Sequence, residues 1–373
     1  MSRVVDGLKK HVKRALHGSF RLGVSMAIAV IIGSIIILLY GHNPMEIYGM
    51  LIQGAFGSRR SLFITLQRAT PLIFTALASA LAFRTGVFNV GIESQFYIGA
   101  LCGTVVGYAF DLPAIIHLPL TFLAAFVGGA LWAVVPAILR ERLKISEIVT
   151  TIMTNYVAFQ LRDYLLIYVL RVGPHLAETP FVKDSVKLPQ FTELVPGLGR
   201  GSQAHVGIFL AFATAIVLYA VLKYTRRGYE WRMVGVSFPF SEFAGMNMKR
   251  AFMTGFVASG GIAAIGGLVE ILGVWRRYKQ LFGVGFGFKG NLAALLGGRT
   301  VIGSTAAALF YGSMEAGSVA LEWNSGVPRQ LIDILIGLII FFMAAPGLWD
   351  FLKSAKLISG PITARRAPAG REA

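Results

Sequence analysis

Apolar runs close to 20 residues long recur along this chain, near positions 22–40, 61–83, 92–110, 117–139, 150–170, 206–224, 251–273, 281–297, 301–320 and 330–347. A helix needs about 20 apolar residues to cross the hydrocarbon core of a bilayer. The pattern therefore predicts an all-α polytopic membrane protein with about ten transmembrane helices. Glycines and charges interrupt the stretch 275–300, where a re-entrant segment fits as well as a crossing. The most informative break is Arg84 to Gln95, between runs ending near Phe83 and starting near Phe96. It sets the Glu93 carboxylate, the Asn89 and Gln95 amides and two glycines between two spans. Irregular backbone at membrane depth survives only where protein buries it or a cavity lines it. A short polar loop and a broken helix at a solute pathway both fit. We adopt the second, so at least one helix is expected to be discontinuous or re-entrant.

Between the runs, two hydrophilic stretches are longer than turns. Residues 171–205 carry four prolines and mixed charge, and are expected to form an irregular extracytoplasmic loop with a short helix. Residues 225–250 are expected to form a cytoplasmic loop holding one short amphipathic helix between two turns. The domain plan is a cytoplasmic N-terminal segment at 1–21, a transmembrane domain at 22–350 and a cytoplasmic tail at 351–373. The run from Met1 to Tyr40 is read as an uncleaved first span, because its apolar part exceeds a signal-peptide core and no small-x-small site follows it.

Composition agrees with this picture. Charged residues are 14% of the chain and hydrophobic residues 55%, with mean hydropathy +0.67, against roughly a quarter charged in soluble domains. The formal charge of +17 is an orientation signal rather than a nucleic-acid footprint. Its Lys/Arg cluster before the first span, at Arg140, Arg142 and Lys144, around 223–250 and in the tail. The positive-inside bias then puts both termini in the cytoplasm, with anionic headgroups helping to hold them.

Polar residues inside the runs need a reason. Arg68, Thr75 and Ser79 share one helical face, as do Thr151, Asn155 and Arg162, while Glu270 and Glu315 stand in late spans. Charge clamps between helices and pathway lining are both open for them. Small residues recur every fourth position at Gly255, Ser259, Ala263 and Gly267, and again at Ser304, Ala308, Gly312, Ala316 and Ala320. Such lines let helix backbones approach closely in lipid. Catalysis finds no support: no phosphate loop, zinc-helix or nucleophile-elbow motif is present, and Gly283–Gly287 lacks the Lys-Ser/Thr that would hold a nucleotide. The single Cys102 excludes a disulfide framework or a thiolate metal site.

Three runs resemble one family. They are Leu81 to Gln95, Ile145 to Tyr156, and Gly228 to Gly235 followed by Ala244 to Asn247. All three are similar to the permease subunits of bacterial ABC importers of the ribose/branched-chain amino acid superfamily, and most to its nucleoside and simple-sugar branch. Ser94 stands where that branch usually has glycine. Phe238, Phe240 and Ser241 also depart from its usual cytoplasmic-loop residues.

The resemblance implies a subunit that forms the translocation path for a nucleoside or simple sugar and performs no covalent chemistry. It implies no cofactor in this chain, since ATP and magnesium would sit on a separate ATPase subunit. The other implied partners are a second permease, an extracytoplasmic solute-binding protein, the solute and membrane lipid. Asn89, Glu93, Gln95 and Asn155, with Phe88 and Tyr156, are the expected path residues. Gly235, Phe238, Phe240, Glu242, Phe243, Ala244 and Gly245 are the expected contact with the ATPase. From the residues alone, that greasy loop fits a partner's groove or the lipid interface equally; the resemblance favours the groove. Alternatives from other classes are a branched-chain amino acid permease, an ion-coupled transporter using Glu93, Glu270 or Glu315, and a non-transporting scaffold.

Overall fold

In the computed structural model of the chain, residues 27–173, 177–325 and 329–344 are described; the segment 1–21 and the tail 351–373 lie outside them. Contacts divide the chain into a unit of residues 45–332 and a second made of 1–44 and 333–373. Helix α1 (Ala27–Leu39) belongs to the second unit, with most of α14 (Arg329–Ala344). The larger unit holds α2 (Pro44–Phe56), α3 (Arg59–Arg84), α4 (Ile92–Ala109), α5 (Ala114–Leu143), α6 (Glu147–Tyr164), α7 (Phe191–Leu194) and α8 (Gly207–Tyr224). It continues through α9 (Arg226–Val236), α10 (Phe238–Phe243), α11 (Met248–Glu270), α12 (Phe286–Leu296) and α13 (Val301–Ser325).

Among the described residues every apolar run contains helix, but the expected ten crossings are not confirmed. Among the described residues only α3, α5, α8 and α11 with its following π turn are long and apolar enough to span, and α1 with α2 makes a fifth by length and composition. Helix α12 has 11 residues, about 16 Å of rise against a hydrocarbon core of about 30 Å. The stretch 275–300 is therefore a half-helix. Helix α2 went unforeseen because 13 residues fall below the length of a crossing. Pro44 supplies its start, and Ile47, Leu51 and Gly54 its buried face.

Helix α11 is the most buried of the four spans and packs on α3, α4 and α5, while α12 lies against α3 and α13. The small-residue lines make these approaches. A methyl group on Gly267 would meet Phe96 O of α4 at 2.4 Å, and one on Gly312 would meet Ala69 Cα of α3 at 2.7 Å.

The 171–205 stretch contains a 3₁₀ turn at Asp184–Val186 and the short α7. It is tied down rather than loose. Lys183 pairs with Asp111 at 2.8 Å, Arg277 with Glu178 at 2.7 Å, and His117 Nδ1 bonds Ser185 Oγ at 2.7 Å. At its end, His205 Nδ1 accepts the Gly207 N–H at 3.1 Å. Burial holds the His205 imidazole down at about 4, below its usual 6.5. The folded chain keeps this ring neutral, whereas the unfolded chain protonates it below pH 6.5. The stability it contributes is thus complete above that pH and lost as pH falls towards 4, at most about 3 kcal/mol. We expect the melting temperature of the purified protein to fall more steeply between pH 6.5 and 4 than that of His205→Gln; parallel curves would rule this out.

The 225–250 stretch holds two helices where one was expected. Thr225 caps α9 by accepting the Gly228 N–H at 3.1 Å. Trp231 Nε1 donates to Thr254 Oγ1 at 3.0 Å, fastening α9 to α11.

Candidate functional site

Helix α3 stops at Arg84 because the chain turns through Gly86, whose φ of +79° only glycine adopts without cost. The backbone stays irregular until Gly91, the N-cap of α4. Asn89 sits wholly buried in this break. Its Nδ2 donates to Gln95 Oε1 at 2.9 Å and Ser259 Oγ at 3.0 Å, and its Oδ1 accepts the Gly91 N–H at 3.0 Å. Asn155 reaches in from α6: its Nδ2 donates to Val90 O at 3.1 Å and its Oδ1 accepts the Ser94 N–H at 3.2 Å. Asn291 of α12 donates to Asn89 O at 3.1 Å. Backbone groups of the break are thus met by side chains from two other helices, α6 and α12, while Ser259 of α11 meets the Asn89 side chain, as burial requires.

Glu93, in the first turn of α4, does something different. Its Oε1 accepts the Gly285 N–H at 2.8 Å, and its Oε2 accepts those of Gly287 at 2.6 Å and Phe288 at 3.3 Å. These are the first amides of α12, so a carboxylate from one helix caps the N-terminus of another, where a negative charge is favoured. The glycine-rich run that lacks a nucleotide signature is a cradle for the protein's own anion. A methyl group on Gly287 would lie 2.5 Å from Glu93 N.

The charges resolve in part. Lys289 of α12 pairs with Glu315 of α13, an inter-helix clamp. Arg162 pairs with its neighbour Asp163 at 2.8 Å and lies 4.9 Å from the Tyr97 ring centre. Arg68 Nε and Glu270 Oε2 are buried without a hydrogen-bond partner among the described residues.

Of the expected path residues, the structure brings Asn89 and Gln95 into direct contact, joins Asn155 to the same break and sets Glu93 on its far side against α12. It does not bring in Phe88, half-buried with its ring 5.4 Å from that of Phe83, or Tyr156, 63% exposed on α6. Ser259 and Asn291 belong to the cluster and were not foreseen as such. Ser259 appeared only in a line of small packing residues, and a lone asparagine in a weak apolar run carries no signal of its own.

At the other expected site, α10 projects Phe240 and Phe243, the latter 94% exposed. Glu242, Ala244 and Gly245 are exposed beside them. The helix is built by Ser237, which accepts the Phe240 N–H at 3.4 Å, and is closed by Gly245 at φ +70°. Phe238 begins α10, but its side chain is not among those described. Gly235 abuts the end of α3: a methyl group there would lie 2.2 Å from Arg84 O. Beside α10 opens a cleft of about 700 Å³ lined by Arg140, Glu147, Gly235, Glu242, Lys249 and Phe252, among others.

The sequence model of the family described as "Branched-chain amino acid transport system / permease component" matches residues 61–344. The guanosine ABC transporter permease protein NupP of Bacillus subtilis is 36% identical over 337 residues, covering 90% of this chain and 95% of NupP. The glucose ABC transporter permease protein TsgB13 of Haloferax volcanii is 35% identical over 331 residues, covering 88% and 87% of the two chains. The nucleoside ABC transporter permease protein NupB of Lactococcus lactis is 31% identical over 343 residues, covering 90% and 93%.

Proposed function

The chain belongs to the branched-chain amino acid transport system / permease component family, and on that premise we propose that it is a permease subunit of an ATP-binding-cassette importer carrying a nucleoside or a simple sugar. Relatives named for guanosine, nucleosides and glucose, matched over most of their length, support a hydroxylated, uncharged cargo over a branched-chain amino acid. The observation that carries the importer reading beyond the family is α10. Two aromatic rings, Phe240 and Phe243, stand out into space from a rigidly capped turn of helix. Bare rings at a loop tip are costly without an apolar partner. A groove on a separate ATPase subunit supplies one by the helix-in-groove mode, with Glu242 and Gly245 at its rim and Gly235 passing the movement to α3.

The remaining subunits follow from that assignment: a second, related permease, a pair of ATPase subunits on the cytoplasmic side, and an extracytoplasmic binding protein that meets the 171–205 stretch. Both termini are placed in the cytoplasm. The path is placed beside the break at 85–91, in a closed state. Asn89, Gln95 and Asn155 satisfy one another here, and a rigid-body shift of α4 against α11 would free their amides for hydroxyls or ring nitrogens. Phe88 and Tyr156 keep exposed ring surface for stacking on a solute or seating a neighbouring subunit. An ion-coupled mechanism through Glu93 or Glu315 is disfavoured because Glu93 is held by three amides and Glu315 by Lys289.

The test is uptake of labelled guanosine and glucose by cells carrying the transporter. We expect uptake of one of them to stop on ATP depletion and survive an uncoupler. In the same cells, Phe243→Asp combined with Gly245→Pro should cut co-purification of the ATPase subunit at least tenfold, since a charge enters the apolar contact and proline cannot adopt the positive φ of position 245. Normal assembly of that variant would refute the docking assignment.

A further inference from the structure

A second feature lies between α8, α9 and the start of α13, and shares Gly235 and Val236 with the cleft beside α10. A cleft of about 460 Å³ is lined by Arg84, Tyr219, Leu222, Lys223, Arg232, Thr300, Val301 and Ile302. A smaller one of about 180 Å³ shares Arg84 and Arg232 and adds Arg299. Four cations thus converge, and among the described residues no Asp or Glu lines either cleft. Among the described residues none of the four is ion-paired. Arg84 Nε donates to the Arg299 carbonyl at 3.0 Å, Lys223 lies between the rings of Tyr219 and Tyr224, and Arg299 lies 5.4 Å from the Phe83 ring centre. Arg232 Nε is buried with no hydrogen-bond acceptor among the described residues. The 25-residue helix α13 starts in the wall at Val301, adding the positive end of its dipole. Like charges held this close, with a buried donor unmet, call for an anion.

The apolar surroundings say which kind. On α8, Phe212, Ile216 and Tyr219 are exposed at 37%, 69% and 38%. They precede Lys223 at steps of four, three and four, so they form one stripe that runs into the cationic cleft. Ile302, 69% exposed, continues this greasy wall across the cleft. A free phosphate has no use for such walls, whereas an acyl chain does. Tyr219 and Tyr224 lie in the last turns of the span-length helix α8, the part of a membrane helix where aromatic rings favour the headgroup level. We propose that this cleft binds one anionic phospholipid of the adjacent leaflet, its phosphate among Arg84, Lys223, Arg232 and Arg299 and its chains along α8. The site is independent of the importer reading, since it needs only that α8 face lipid.

The experiment is native mass spectrometry of the detergent-purified transporter, with whatever subunits co-purify, titrated with phosphatidylglycerol or phosphatidylcholine. We expect the wild type to hold phosphatidylglycerol at least tenfold more tightly. Lys223→Gln with Arg232→Gln should weaken it about thirtyfold, taking each cation at the usual contribution of a basic residue near an anionic surface. Lys223→Arg with Arg232→Lys should restore it. Ile302→Asp, which keeps all four cations, should also lose the lipid, and it tests the cleft should the glutamine pair fail to assemble. Equal binding of the two lipids, or unchanged binding by the glutamine pair, overturns the proposal. Inorganic phosphate giving the same thermal stabilisation as phosphatidylglycerol overturns it too, because the site would then take a free anion. A photoreactive residue at position 302 that captures protein rather than lipid in native membranes would show the cleft to be a subunit contact, which also overturns it.

Discussion

Replacing Glu93 with leucine is expected to destabilise the folded protein by about 4 kcal/mol and abolish uptake. Three amide donors at the start of α12 would lose their acceptor in a buried site, and each unmet donor costs about 1–3 kcal/mol. The helix dipole of α12 would lose its compensating charge as well. Glu93→Gln is the sharper probe. It keeps the volume and one carbonyl oxygen, but its NH2 must face backbone donors. If Glu93 contacts solute and does nothing else, both variants should melt like the wild type and lose uptake alone. If it caps α12, both should melt early, the leucine variant more so. Thermal unfolding of the purified protein followed by size-exclusion chromatography separates these outcomes. A wild-type melt for both variants would sink the capping role.

Gly287→Val is expected to prevent accumulation of folded protein. The new Cβ would lie 2.5 Å from both Cα and N of Glu93 and 2.7 Å from its Oε2. Those are backbone and capping atoms that cannot swing aside, so α12 must leave α4 at a cost of about 3 kcal/mol or more. Gly290→Val should behave alike, since its Cβ would lie 2.5 Å from Thr75 Cβ of α3. Gly49 of α2, with nothing within 4 Å of its would-be Cβ, supplies the contrast: Gly49→Ala should be neutral or gain about 1 kcal/mol of helix propensity. Monodisperse yield from fluorescence-detected chromatography checks all three. Normal yield of Gly287→Val would mean that α12 does not pack on Glu93 as described.

Much of the architecture was legible because lipid imposes a length and a polarity on every helix. The runs at 61–83, 117–139, 206–224 and 251–273 became α3, α5, α8 and α11 with ends displaced by a few residues. The break at 84–95 was visible because a carboxylate and two amides cannot face hydrocarbon. Length also misled. A run of about 17 apolar residues at 281–297 reads as a marginal crossing, yet its first part is a glycine turn and only 11 residues are helical. Helix α9 hid in a charged loop because its buried face is only Gly228, Trp231 and Val234.

What the sequence determined by itself is the membrane class, the position of the break, and the presence of polar side chains there that demand partners. It could not say who those partners are. Glu93 and Gly285 stand 192 residues apart, and Asn89 and Ser259 stand 170 apart, so no local pattern records either meeting. Only packing decides them. Small residues on α11 and α12 let these helices approach until the amides, hydroxyls and carboxylate come within 3 Å or so of one another. A buried polar group is strongly driven to find a partner but indifferent to which one, so composition shows the need and the tertiary structure alone shows how it is met.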